Sequence, residues 1–112
     1  MNSLRTIPLF PAGKIVATPG AEELLQRARK TPIEFLSRHL RGEWGELCHE
    51  DKTENEVSLN HGFRLMSNYK ISEKEHLWII TEADRSVTDV VASKRILNVS
   101  GPLSALGAQR AE

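Results

Sequence analysis

The stretch Thr81-Glu82-Ala83-Asp84-Arg85-Ser86-Val87-Thr88 crowds polar side chains between two apolar runs. Loops held by a rigid sheet commonly carry sites. Glu82 has the chemistry of a general base, and Arg85 could grip a phosphate through its planar guanidinium fork. The same spacing also describes a hairpin turn, in which Asp84 and Ser86 tie down the turn backbone and Arg85 pairs with Glu82 or Asp84. His39, flanked by Arg38 and Arg41, is the second candidate. An imidazole with an ordinary pKa near 6.5 suits acid–base work. Its alternative is a boundary histidine, with its ring on the core and its edge in water. If His39, Glu82 and Arg85 converge on one phosphate, the chemistry is that of a small ribonuclease-like enzyme or toxin.

Ser67 and Tyr69 share one strand face, while Arg64 points to the other. Ser67 lacks the Gly-x-Ser-x-Gly context of a nucleophile and reads as a small core polar residue; Tyr69 reads as a core-edge aromatic. His49, His61, His76 and Cys48 share no ligand spacing, and neither Cys-x-x-Cys nor His-Glu-x-x-His occurs. No metal site and no cofactor are expected.

The 15 Lys+Arg and 15 Asp+Glu cancel over 112 residues. A zero total disfavours both an indiscriminate DNA coater and an acidic DNA mimic. Along the chain the signs separate, with Arg27, Arg29, Lys30, Arg38 and Arg41 preceding Glu43, Glu46, Glu50, Asp51, Glu54 and Glu56. A basic helical face could track nucleic acid, and an acidic helix could meet a basic partner; equally, the two faces could attract each other. Hydrophobic residues at 39% and charged residues at 27% indicate a folded domain, with no run long enough for a membrane span and no signal-peptide pattern. One cysteine suits a reducing, cytoplasmic setting.

These side chains must be positioned by a few short elements. Ile7, Leu9 and Phe10 could dock on the core, and 14–17 reads as a short strand. Thr18-Pro19 then caps and opens a helix to about Arg29, whose Ala21, Leu24, Leu25 and Ala28 form one stripe. Thr31 and Glu34 form a capping box for a second helix lined by Ile33, Leu36 and Leu40, with Phe35 and His39 alongside. Trp44 anchors the following loop. A nearly all-polar third helix spans Asp51–Asn60, with a capping-box pattern from Asp51 to Glu54 and Gly62 closing it.

Period-two alternation over 63–71 predicts a strand with one face inward, 76–81 a central strand and 87–91 a third. The expected class is α+β: a short N-terminal strand and two to three helices packed on a C-terminal three- to four-stranded antiparallel meander. A single domain over 1–95 is expected, with a tail over 96–112.

The segments 14–21, Arg38-His39 with 42–47, and above all 78–88 together resemble a small bacterial family of plasmid-related and mobile-element proteins over about Phe10–Val91. Many of its members carry the label type I restriction enzyme subunit M. A methyltransferase subunit needs an S-adenosylmethionine fold and an Asn-Pro-Pro-Tyr-type motif, and this chain has neither. The resemblance implies an accessory protein of a plasmid or integrated mobile element that binds nucleic acid or a host or mobile-element protein, without membrane association. Homodimerisation through a strand edge or the Trp44 loop is a further expectation. The binding candidates are Arg38, Trp44, Asp84 and Thr88 inside the matching segments, Arg41 on the basic helical stretch, and Arg64 on the first meander strand.

Overall fold

Thr18 ends one element and begins the next, because its hydroxyl accepts from the Ala21 amide at 3.2 Å just where Pro19 needs no hydrogen-bond acceptor. In the computed structural model, which describes residues 7–93, the order is β1 (Lys14–Ala17), α1 (Pro19–Ala28), α2 (Pro32–Leu40), α3 (His49–His61), β2 (Leu65–Lys70), β3 (His76–Thr81) and β4 (Val87–Ser93). The class is α+β, as expected. The sheet is not purely antiparallel: β2, β3 and β4 form the meander, but β1 adds to β4 in parallel, giving the order β1-β4-β3-β2. The predicted tail over 96–112 lies outside the described residues. No described helix is long and apolar enough to cross a membrane.

The helices pack on the sheet face that carries Tyr69, Leu77, Ile79 and Val90, through Ala21, Leu24 and Leu25 of α1 and Phe35 and Leu36 of α2. A second cluster joins Phe10, Trp44, Leu47 and Leu65 to Met66, Trp78 and Ile80 on the opposite strand positions. Both faces of β2 are therefore buried, correcting the one-sided strand that alternation predicted. Of the three residues expected to dock from the lead-in, Phe10 is in the core, whereas Ile7 and Leu9 are exposed.

Three helix details depart from expectation. Thr31 is the N-cap of α2 but its side chain makes no capping bond, and Glu34 sits 4.0 Å from Lys30 instead. Ile33 is exposed, since in the first turn it precedes the stripe that meets the sheet. α3 begins at His49 with Cys48 as N-cap, so Asp51 lies in its first turn rather than before it. Gly62 closes α3 in the left-handed region at φ 72°, as expected.

The outer edge of β2 is covered twice. Trp44 and Glu46 pair with the Asn68 backbone, the Asn68 amide donating to the Trp44 carbonyl at 3.1 Å and the Glu46 amide to the Asn68 carbonyl at 2.6 Å. Further along, the Asn55 side chain from α3 donates to the Met66 carbonyl at 2.7 Å and accepts from its amide at 3.3 Å. A carboxamide thereby takes the place of a neighbouring strand on an edge that would otherwise leave buried groups unpaired.

Candidate functional site

α2 directs His39 onto the sheet, where the ring is fully buried, rather than leaving its edge in water as a boundary residue would. Its Nδ1 lies 2.6 Å from Ser67 Oγ on β2, and its Nε2 lies 2.9 Å from Thr81 Oγ1 on β3. Thr81 Oγ1 is 2.8 Å from Thr88 Oγ1 on β4, which donates to the Ala12 carbonyl at 2.7 Å. Proton counting assigns every direction in this chain. The one Thr88 hydroxyl proton goes to Ala12, so Thr81 donates to Thr88. His39 Nε2–H must then donate to Thr81, leaving Nδ1 to accept from Ser67. The ring is neutral and Nε2-protonated. One polar relay thus joins β2, α2, β3, β4 and the segment before β1.

Burial, with a smaller contribution from the Arg85 charge, lowers the His39 pKa to about 3. Ser67 and His39 have the separation of a nucleophile and its base, yet both are fully buried and their bonds are spent within the relay. Phe10 and Trp44 meet the imidazole in edge-to-face contacts at 5.3 and 5.7 Å.

Arg85 and His39 do come near one another, both packing on the Phe10 ring, with the guanidinium carbon 5.6 Å from its centroid. The fork of Arg85 does not face an open phosphate site. Nη1 donates to the carbonyls of Phe63, Glu82 and Ala83, and Nη2 donates to that of Ser58 at 3.2 Å. Arg85 itself adopts φ 61°, and its side chain binds carbonyls of its own turn and of the last turn of α3, tying the two together. Asp84 accepts from the Ser86 amide at 3.0 Å and the Ser86 hydroxyl at 2.6 Å, bonds that hold its carboxyl below the usual range. Glu82 pairs with Arg64 at 3.4 Å rather than turning toward His39. The turn reading of this loop therefore accounts for its polar side chains.

The binding candidates are likewise tied internally. Arg38 and Arg41 converge on Glu43 at 3.4 and 3.3 Å, and Arg38 also lies over the Tyr69 ring at 4.6 Å. Tyr69 donates to the Glu43 carbonyl, and burial pushes its phenol well above its ordinary pKa. The Trp44 indole N–H donates to Glu56 at 3.0 Å, and Thr88 belongs to the relay. The structure gathers His39, Trp44 and Arg85 around Phe10, links Thr88 to His39 through Thr81, and places Arg38 and Arg41 on Glu43. Among the described residues, no three His, Cys, Asp or Glu side chains gather as a metal site.

Sequence reasoning passed over the inner stripe of α3, where Asp51, Asn55 and Ser58 are buried. Their i, i+4, i+7 spacing was the available signal, obscured because the whole helix is polar. Beside them lies a groove of about 220 Å³ lined by Asp51, Glu54, Asn55, Ser58, Phe63, Arg64 and Met66. Protein-family models, curated proteins and solved structures gave no match to this chain.

Proposed function

We propose that this chain is a non-catalytic accessory protein of a bacterial plasmid or integrated mobile element, acting in the cytoplasm by binding a protein with a basic surface. One observation carries the reading: the two charge blocks of the sequence fare differently on folding. Arg27 pairs with Glu75 at 2.9 Å, Lys30 lies 4.0 Å from Glu34, and Arg38 and Arg41 pair with Glu43. Within the basic block, Arg29 alone has no ion pair with another described residue. Arg64 pairs with Glu82, and Arg85 is held by carbonyls. Glu50, Asp51 and Glu54, over the first two turns of α3, make no ion pair with another described residue. The field that survives at this end of the molecule is negative, which suits a cationic partner and opposes a phosphate backbone. The ribonuclease-like alternative draws no support from a buried imidazole with a pKa near 3.

The test sets an arginine-rich peptide against duplex DNA and single-stranded RNA at low salt. Peptide binding should weaken at least tenfold in the pair Glu50→Gln/Glu54→Gln and hold in the pair Glu22→Gln/Glu23→Gln on α1. A nucleic-acid complex that Arg38→Ala or Arg41→Ala weakens overturns the reading in favour of nucleic acid. A second reading, self-association, is favoured by β1, an edge strand with Ile15 and Val16 exposed. Sedimentation at two concentrations tests it, and a concentration-independent monomer removes it.

A further inference from the structure

We infer that the groove beside α3 is a receptor for one arginine side chain of the protein partner. The inference rests on the acidic-face reading above and adds a defined site and ligand chemistry to it. Asp51 is only 9% exposed, it lines the groove, and it makes no hydrogen bond or ion pair with another described residue. Its carboxylate is held in a largely covered side chain, opens into the groove and has no donor among the described residues, so it is available to a cationic partner that enters there. The first-turn position of Asp51 suits the helix dipole, but Glu50 offers that same interaction from an exposed position without burial.

The rest of the groove fits a guanidinium better than other cations. Glu54, one turn along α3, adds a second carboxylate at the rim. Phe63 is 57% exposed and lies nearly parallel to His61, with ring planes 16° apart and centroids 5.9 Å apart. It presents a flat platform on which a planar cation stacks. The floor is rigid, since Asn55 is bonded to the Met66 backbone and the Ser58 carbonyl to Arg85. Arg64 also lines the groove, and Glu82 at 3.4 Å offsets its charge toward an incoming cation. The volume of about 220 Å³ lies below the roughly 300–1,000 Å³ of small-molecule pockets and suits a single side chain.

The test is an NMR titration of the full chain with Nα-acetyl-arginine methylamide, its citrulline isostere and the lysine counterpart. Amide shifts at Asn55, Ser58, Phe63 and Arg64 should saturate with the arginine probe. They should require at least tenfold more of the citrulline probe and several-fold more of the lysine probe. Asp51→Asn, which preserves shape, should weaken the arginine response at least tenfold. Glu54→Gln, at an exposed position that does not threaten folding, should weaken it two- to fivefold. Equal responses to arginine and citrulline, or unchanged binding in both variants, overturn the site. Where that happens while the arginine-rich peptide still depends on Glu50 and Glu54, the groove fails and the acidic face stands. Loss of both responses removes the face as well.

Discussion

A buried neutral histidine makes stability depend on pH in a direction that can be worked out. The unfolded chain takes up a proton on His39 near pH 6.5, whereas the folded chain does so only near pH 3. Between those values the unfolded state binds more protons, so stability rises with pH. The contribution is fully present above about 6.5 and lost as pH falls toward 3. The whole interval corresponds to about 5 kcal/mol, of which about 2 kcal/mol is lost between pH 7.5 and pH 5.0. Other groups titrate in the same range, including His76, whose pKa burial also lowers, so the measurement is a difference. Urea unfolding of the wild type and of His39→Gln, which keeps polar atoms but cannot protonate, is compared at the two pH values. The wild type should lose about 2 kcal/mol more than the variant over this interval. Nitrogen chemical shifts of the imidazole should at the same time report the Nε2–H form, because the Thr88 proton committed to Ala12 sets the direction of the relay. Equal pH dependence in the two proteins would refute the burial argument, and an Nδ1–H ring would refute the proton assignment.

The remaining predictions concern the contacts that hold the sheet edges and the turn. Gly45→Ala should destabilise by about 2 kcal/mol or more in denaturant unfolding, because φ is 78° and the added carbon would run into the Asn68 carbonyl and Tyr69 ring. Asn55→Leu should destabilise by roughly 2–4 kcal/mol, stripping both backbone partners from Met66 and raising amide exchange along β2. Arg85→Gly relieves the positive φ yet should still lower stability by about 1–3 kcal/mol, since the four carbonyls lose their common donor; a stabilised variant would show that backbone strain outweighs the clamp.

The elements that the sequence determines by itself are those whose signals are local. The Ala21–Leu24–Leu25 stripe, the Thr18-Pro19 start, the Gly62 stop and the β2–β3–β4 meander all follow from periodicity and turn chemistry within a few residues. So does the Asp84–Ser86 turn. What only the tertiary structure decided depends on partners far apart in sequence. β1 joins β4 across some seventy residues and in parallel, a pairing that no hairpin signal announces. The Trp44 loop and Asn55 bury the far edge and second face of β2, overriding the alternation that promised a wet side. His39 and Arg85 carry the chemistry of acid–base and phosphate work in any short window. Burial against Phe10, and hydrogen bonds from five separate segments, turn the first into a neutral strut and the second into a clamp. The cancelling charges resolve in the same way, because ion pairing among the described residues engages Arg27, Arg38, Arg41 and Arg64 while Glu50, Asp51 and Glu54 of α3 take no part in it. Residue type sets what a side chain is able to do, but solvent access and partners decide what it does, and both are properties of the assembled fold.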